Sequence, residues 1–274
     1  MHGGLYQATT GGVDRDEGLV LTLRTPGSST DAVKLLAAGQ TDFAVLDIHD
    51  LGLAREKGAD LVGVFALVQR PLAAVIARPG IRTPRDLEGR RVGVTGLPSD
   101  VAVLRSIVRG AGGDPGKVET VTIGFNAVPA LLGGRVDAAT AFWNAEGVAL
   151  RARRPGFREF RLDDYGAPRY PELVVAATRR TVQSRGELVR RLRRTLRRSY
   201  AEALAHPART VDLMRAAVPG LDLGLLRAQL AALRPAQRPV GRLDRRALRA
   251  WAAWEVRVGI LKLRPDVEHA FLLD

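Results

Sequence analysis

Residues 61–77 read LVGVFALVQRPLAAVIA, and this stretch decides the fold class. It contains two short apolar runs, LVGVFAL (61–67) and LAAVIA (72–77), which are separated by Gln69, Arg70 and Pro71. Runs of this length that are apolar at every position, rather than at every second one, are typical of strands buried on both faces. The stretch therefore predicts two core strands of an α/β protein.

Strand and helix signals alternate on both sides of this stretch. Upstream, LVLTL (19–23) and DFAVLDI (42–48) predict strands. Between them Ser28, Ser29, Thr30 and Asp31 offer N-caps for a helix that Gly39 ends at about Ala38, and a helix over 51–57 ends at Gly58. Downstream, further strands are predicted at 91–95, 118–123, 137–142, 157–162 and 173–178, and helices at 83–87, 99–109, 128–132 and 144–151.

After Thr181 the pattern predicts helices only, over about 187–205, 208–217, 223–233 and 244–259. These helices need a sheet to cover, and the first α/β unit is the natural partner. We therefore predict two lobes, residues 1–77 with 178–274 and residues 78–177, which two chain crossings would join. A hinge of two segments is the mechanical basis of closure around a ligand.

The composition is that of a globular protein and excludes several classes of function. The chain has 274 residues, of which 46% are hydrophobic and 26% charged, and this is ample for a core. No apolar run approaches the roughly 18–20 residues that span a bilayer. The absence of cysteine excludes disulfides, thiol catalysis and thiolate metal sites. The first residues, MHGGLYQATTGG, have neither the basic nor the apolar segment of a signal peptide.

The net charge of +13 comes mainly from arginine, and its densest stretch is residues 179–198. Apolar residues at helical spacing (188, 189, 192, 196 and 200) form one face there, and arginines cover the rest. A solvated helix face is the favoured interpretation, while a phosphate-binding face and a patch for a membrane or a partner protein stay open. No zinc-finger, leucine-zipper or RNA-recognition signature accompanies the charge, so we expect no nucleic-acid partner.

Several segments resemble a known family. LLAAGQTDFAVLD (35–47) and PRDLEGRRVGVTG (84–96) resemble the signatures of type II periplasmic binding proteins. More specific are LLGGRVDAATAFWNAEGVAL (131–150) and YGAPRYPELVVAAT (165–178), and the tail LRAWAAWEVRVGILKLRPDVEHAF (248–271) is also similar. They look like the NMT1/THI5-like branch, whose bacterial members bind pyrimidine precursors of thiamine for uptake by ABC importers.

The resemblance implies a two-lobed α/β clamp, the solute-binding protein of an ABC importer, with its ligand in the cleft between the lobes. The ligand would be a hydroxymethylpyrimidine or formylaminopyrimidine, with riboflavin or a related heterocycle as the alternative. The partners would be an ABC permease and its ATPase; the protein would use no cofactor and work outside the cytoplasm, in the periplasm or at the cell surface. In the family a strand precedes the segment that HGGLY (2–6) represents, so the N-terminal first strand and a signal sequence are expected to be missing from this chain.

Two other classes of protein share this fold. Eukaryotic members of the branch make the thiamine pyrimidine from a pyridoxal cofactor and a histidine of their own, and they carry a cysteine-rich iron segment. Because this chain has no cysteine, we expect no enzyme activity and no catalytic residue. The fold also serves as the effector domain of transcription factors, but no segment here supplies a convincing helix-turn-helix.

The segment Trp143 to Glu146 follows a predicted strand end, where open α/β sheets bind ligands. The indole of Trp143 could stack on a heterocycle, or it could be a core residue. Asn144 and Glu146 could accept hydrogen bonds from an aminopyrimidine, which a buried site makes strongly selective. Alternatively, Glu146 is a first-turn glutamate favoured by the helix dipole.

Asp47, His49 and Asp50 follow the strand predicted at 42–48. They could contact ligand or cap the following helix. Because all three come from one turn and no further ligand is obvious, we expect no metal site. Ser99 opens a helix after Gly96-Leu97-Pro98, where free N–H groups could hold an anion or a carbonyl oxygen, although a plain helix cap explains it equally well.

Four more residues complete the predicted ligand-binding set. Tyr165 and Tyr170 lie in the loop before the return crossing, where either could touch ligand or simply pack the loop. His2 and Tyr6 enter only through the resemblance, since they match the first-lobe site segment of the family.

Overall fold

The computed structural model describes residues 1–27 and 29–274, and the chain folds into two compact units. Unit 1 comprises Met1–Gln69, Pro171–Ala252 and Leu263–Asp274; unit 2 comprises Arg70–Tyr170 and Ala253–Lys262. The sequence predicts two lobes, divided at residues 77 and 178, that move relative to each other when a ligand binds. The two compact units do not test such a movement, so the lobe division stays a prediction. The predicted cap at Ser28 lies outside the described residues.

Unit 1 is built on a three-stranded antiparallel sheet. Its central strand is buried along almost its whole length, because alanine and valine side chains pack on both of its faces. The strands are β1 (Ala44–Asp47), β2 (Leu61–Ala66) and β8 (Leu173–Thr178). The order in the sheet is β1-β8-β2, and Leu46 pairs with Val174 in the β1–β8 ladder.

The longer helices of unit 1 lie close to where the sequence predicts them, whereas four short helices were not predicted: Gly3–Thr9, Val13–Asp16, Arg179–Ser184 and Val267–Ala270. The helix predicted at 223–233 has those bounds, and the arginine-rich helix begins one residue early, at Gly186. The helices are α1 (Gly3–Thr9), α2 (Val13–Asp16), α3 (Ser29–Ala37), α4 (Ile48–Glu56), α8 (Arg179–Ser184), α9 (Gly186–Ala205), α10 (Pro207–Ala217), α11 (Leu223–Leu233), α12 (Arg245–Arg257, shared at its end with unit 2) and α13 (Val267–Ala270).

Close packing of α1 on α9 depends on Gly4. A side chain at this position would collide with the ring of Tyr200, which is itself 1% exposed. The glycine therefore lets the two helices approach, and it fixes where the HGGLY segment lies in unit 1.

Unit 2 holds a five-stranded mixed sheet and three helices. Its elements are β3 (Ala73–Ala77), β4 (Arg91–Val94), α5 (Pro98–Gly110), β5 (Glu119–Thr122), α6 (Ala127–Leu132), β6 (Ala138–Phe142), α7 (Val148–Arg153) and β7 (Arg158–Arg161). The order in the sheet is β5-β4-β6-β3-β7. β4 runs parallel to β5 and β6, whereas β3 is antiparallel to both β6 and β7. Aliphatic residues and Phe157 form a core cluster of this unit.

The strand predicted at 19–23 is wrong. This segment has no regular secondary structure, and Val20 is 86% exposed. Its backbone is used locally instead: the N–H of Leu19 donates to the Asp14 carbonyl, and the N–H of Leu21 donates to the Asp14 carboxylate at 2.9 Å. An apolar, β-rich run becomes a strand only where another strand accepts its hydrogen bonds.

Candidate functional site

In unit 1, three side chains that can bind a metal or a polar ligand meet beside the sheet. β1 ends at Asp47, whose carboxylate caps α4 by accepting a hydrogen bond of 2.8 Å from the N–H of His49. Glu172 lies directly before β8, and its carbonyl accepts a hydrogen bond of 2.9 Å from the N–H of Ile48. The antiparallel register of β1 and β8 thus brings Glu172 to the first turn of α4.

We call Asp47, His49 and Glu172 the Asp-His-Glu cluster. The Nε2 atom of His49 lies 3.7 Å from Oε1 of Glu172, and one ligand atom of each residue lies within 4.8 Å of the others. His49 is 2% exposed and Glu172 1%, whereas Asp47 is only partly buried. The cluster is therefore nearly dry, with an accessible edge at Asp47.

The surroundings of Asp47 disfavour its ionised form, chiefly because the carboxyl is removed from water. Burial raises the pKa of the Asp47 carboxyl well above its usual value, and the negative charges of Glu172 and Asp50 add to this effect, while His49 opposes it. A hydrogen-bond donor beside the carboxyl would offset part of this effect.

Sequence reasoning missed Glu172, which is 123 positions after His49 in the chain. The available signal was a carboxylate placed immediately before the buried run LVVAAT (173–178). Without the register of β8 against β1, that signal could not be connected to Asp47 and His49.

In unit 2, Trp143 begins a single π-helical turn, Trp143–Gly147, at the end of β6. Such turns occur frequently at functional sites. The Trp143 backbone N–H donates to the Leu72 carbonyl at 3.0 Å, and the indole N–H donates to the Pro71 carbonyl at 2.9 Å. The side chain is only 2% exposed, so the indole is held firmly within unit 2.

Two arginines lie over the Trp143 ring, and the sequence did not single out either of them. The guanidinium carbon of Arg161 is 4.2 Å from the ring centroid, and that of Arg70 is 5.7 Å away. Burial lowers the pKa of the Arg161 guanidinium, and the charge of Arg70 lowers it further. Arg70 is also paired with Asp163 at 2.8 Å.

Asn144 and Glu146 differ in how the fold uses them. The Oδ1 atom of Asn144 is buried and has no hydrogen-bond partner among the described residues, and the whole residue is 2% exposed. Glu146 accepts a hydrogen bond of 3.0 Å from the N–H of Phe142 through its Oε2 atom, so it caps the turn. An unpaired buried acceptor costs free energy unless a ligand or a water supplies a donor.

The cap predicted at Ser99 is wrong. α5 begins at Pro98, with Leu97 at the N-cap position, so Ser99 lies inside the first turn and is 9% exposed. Proline is favoured in the first helical turn because its missing N–H would have no partner there. The N–H of Thr95 donates to the Asp100 carboxylate at 2.6 Å, which fixes the loop before the helix.

The two loop tyrosines lie in different surroundings. Tyr170 is fully buried, with its ring centroid 5.7 Å from that of Trp254. Tyr165 is partly exposed and contacts Phe160 edge-on at 6.2 Å, and burial raises the pKa of its hydroxyl.

His2 and Tyr6 lie on the HGGLY segment in unit 1. Tyr6 packs against the small apolar cluster of Val211, Met214 and Leu226. His2 is partly buried; burial lowers the pKa of its imidazole to about 4, and its Nδ1 atom has no hydrogen-bond partner among the described residues. Their place in the ligand-binding set therefore stays a prediction from the resemblance.

Comparison with known proteins identifies the family. The family described as NMT1/THI5 like matches residues 1–210. The chain belongs to the NMT1/THI5-like family. Within this family it is 30% identical, over 217 residues, to the formylaminopyrimidine-binding protein of Halalkalibacterium halodurans, and the match covers 78% of this chain and 66% of the relative.

Other relatives carry different names. The match to the riboflavin-binding protein RibY of Chloroflexus aurantiacus has 26% identity and covers 84% of this chain and 68% of the relative. The match to the 4-amino-5-hydroxymethyl-2-methylpyrimidine phosphate synthase of Legionella pneumophila has 29% identity and covers 49% of this chain and 43% of the relative. The chain thus spans about two thirds or less of the length of these relatives.

Solved structures confirm the predicted fold class. The periplasmic aliphatic sulphonate-binding protein SsuA of Escherichia coli superposes with a TM-score of 0.81 at 17% identity, covering 97% of this chain and 87% of that one. The NMT1/THI5-like chain therefore has the α/β fold of the type II periplasmic binding proteins. Within the described residues, none of its helices combines the length and the hydropathy that a bilayer crossing requires.

Proposed function

We propose that this chain is the solute-binding protein of an ABC importer and captures a thiamine pyrimidine precursor, of the formylaminopyrimidine or hydroxymethylpyrimidine type. The family membership and the 30% identity to a formylaminopyrimidine-binding protein support this assignment. A binding protein of this kind works outside the cytoplasm and delivers its ligand to a permease and an ATPase. It needs neither a cofactor nor a catalytic residue.

The buried Oδ1 atom of Asn144 is the structural observation that carries the proposal. An exocyclic amine of an aminopyrimidine would supply the donor that this acceptor lacks among the described residues. Trp143, Glu146 and Ser99 in unit 2 are further proposed contacts, as are Tyr165 and Tyr170. In unit 1 the proposed contacts are Asp47, His49, His2 and Tyr6.

Native mass spectrometry of protein purified without denaturation tests the assignment directly. We expect a retained ligand with the mass of an aminopyrimidine, and we expect calorimetric titration with hydroxymethylpyrimidine and formylaminopyrimidine to give one site per chain. A retained flavin, or tighter binding of riboflavin than of either pyrimidine, would replace the pyrimidine with the alternative that the RibY relative favours.

Synthase activity is the competing function, because relatives named as pyrimidine phosphate synthases share up to 29% identity with this chain. The lack of cysteine argues against it, since the cysteine-rich iron segment that the resemblance attributes to those enzymes has no counterpart here. Incubation with pyridoxal phosphate and ferrous iron, followed by product detection, separates the two functions. Formation of the pyrimidine phosphate with loss of a histidine side chain would overturn the binding-protein assignment.

A further inference from the structure

We propose that Asp47, His49 and Glu172 bind one divalent transition-metal ion, with Zn²⁺ as the ion that this ligand set fits. The site shares Asp47 and His49 with the proposed pyrimidine contacts, but the inference does not rest on the proposed function, because zinc binding is argued and measured without a pyrimidine. Imidazole nitrogen and carboxylate oxygen are both ordinary zinc ligands. The expectation of no metal site depended on the lack of a ligand beyond the Asp47 turn, and Glu172 supplies that ligand.

The separations between the ligand atoms suit a single ion. Zinc lies about 2.0–2.2 Å from nitrogen and oxygen ligands, so two ligands of one tetrahedral ion are roughly 3.3–3.6 Å apart. The His49 Nε2 to Glu172 Oε1 distance of 3.7 Å is close to this separation. The three ligand atoms all lie within 4.8 Å of one another, so a small side-chain rotation would complete the set.

Charge also favours a divalent cation. With a neutral imidazole, the carboxylates of Asp47 and Glu172 give the cluster two negative charges, which one divalent ion neutralises. Glu172 is buried and Asp47 is partly buried, so a cation between the two carboxylates is attracted to both of them.

Backbone hydrogen bonds fix the Asp47 carboxylate and the backbone of Glu172 before any ion arrives. The Asp47 carboxylate accepts from the N–H of His49, and the Glu172 carbonyl accepts from the N–H of Ile48. Ligands fixed in this way bind an ion with little ordering of the chain. Three protein ligands leave a fourth tetrahedral position for a water or an atom of a bound molecule.

Calorimetric titration of the full chain with ZnCl₂, after EDTA treatment and dialysis, tests the site. We expect one zinc per wild-type chain, and at least about tenfold weaker binding in both His49→Gln and Glu172→Gln. The matched control is His206→Gln, because His206 forms an exposed pair with Glu202 at 3.6 Å, nearly the separation of the His49–Glu172 pair. The control variant should bind zinc like the wild type.

Cobalt gives a second readout that does not depend on the variants. Co²⁺ in a tetrahedral site with one nitrogen and several oxygen ligands should give visible absorption that saturates at one equivalent and that excess Zn²⁺ removes. Failure of the wild type to take up one equivalent of either ion overturns the proposal, and so does unchanged zinc affinity in a folded His49→Gln or Glu172→Gln variant. If His49→Gln does not fold, Glu172→Gln and the cobalt spectrum decide.

The metal site and the proposed transport function can fail separately. Pyrimidine binding is measured in EDTA, and zinc binding is measured without pyrimidine. If the protein binds pyrimidine in EDTA but takes up no zinc, the proposed function stands and the metal site is wrong. If it takes up one zinc but does not bind pyrimidine, the metal site stands and the proposed ligand is wrong.

Discussion

Arg161 holds its guanidinium carbon 4.2 Å from the centroid of the Trp143 ring, so that one face of the indole is covered by a cation from the last residue of β7. The indole N–H is already used by the Pro71 carbonyl. Trp143 thus has a structural role within unit 2, whatever contact with ligand it makes. Its contribution to stability is the first quantity to measure.

We expect Trp143→Ala to lower the free energy of unfolding by about 3–5 kcal/mol, because it removes a large side chain that is 2% exposed and leaves a cavity. Trp143→Phe should lower the free energy of unfolding by less, because a ring remains under Arg161. Some loss should remain, because the Pro71 carbonyl no longer has the indole N–H as its donor. Urea unfolding at neutral pH measures both. A loss below about 1 kcal/mol for the alanine variant would contradict the packing role.

Asn144→Ala should weaken ligand binding and leave the stability of the fold nearly unchanged. It removes a buried acceptor that has no partner among the described residues, so the free energy of unfolding should stay within about 0.5 kcal/mol or rise. Affinity for an aminopyrimidine should fall at least about tenfold, as expected when a donor on the ligand loses its acceptor. Calorimetric titration and urea unfolding of the same samples give both quantities.

The matched control for Asn144 is Asn126→Ala. The Nδ2 atom of Asn126 donates to the Ile123 carbonyl at 3.1 Å, so this variant should lose about 1 kcal/mol of stability and keep its ligand affinity. Equal affinities in the wild type and Asn144→Ala would remove Asn144 from the site.

Asp86 should contribute stability that depends on pH. Its carboxylate accepts hydrogen bonds from the N–H groups of Arg82 and Thr83, which lower the pKa of Asp86 below its usual value of 3.8. Because the folded state holds the carboxylate in its ionised form, the stabilisation is present above pH 3.8 and is lost as the pH falls through the lower folded-state pKa. We expect Asp86→Asn to be less stable than the wild type at pH 7, and the difference to shrink below pH 3.8. A difference that stays constant from pH 7 to pH 3 would show that charge is not the cause.

The arginines of α9 differ in exposure, and this predicts which of them matter. Arg190, Arg191 and Arg198 have side chains 66%, 44% and 51% exposed. Replacing these three with glutamine should change the free energy of unfolding by no more than about 1 kcal/mol each, since exposed ion pairs contribute little. The triple variant should elute from heparin at lower salt, because fewer cations interact with the polyanion.

Arg193 provides the contrast within the same helix. Its side chain is 16% exposed and paired with the Asp274 carboxylate. Arg193→Gln should therefore lower the melting temperature more than any single substitution at the exposed positions. Equal effects at all four positions would mean that exposure does not distinguish them.

Local signals predicted the longer helices well. Residues 223–233 carry a periodic apolar pattern that begins after Asp222, and the Asp222 carboxylate accepts a hydrogen bond of 3.0 Å from the N–H of Leu225 at the start of α11. The apolar face predicted for α9 is also present, with Val189, Leu192 and Leu196 buried. A helix forms its hydrogen bonds within one segment, so the segment contains most of the information that sets its bounds.

Strands and sites needed information from elsewhere in the chain. LVLTL (19–23) has strand composition, yet the N–H groups of Leu19 and Leu21 donate to Asp14, because a strand requires a partner that composition cannot specify. Glu172 reaches His49 only through the register of β8 on β1, and Arg161 reaches Trp143 through the pairing of β6 and β7 with β3. By itself the sequence determined the α/β class, the family and the longer helices, but not the short helices α1, α2, α8 and α13. The tertiary structure alone decided which charged side chains meet, because strand register joins residues that are far apart in the chain.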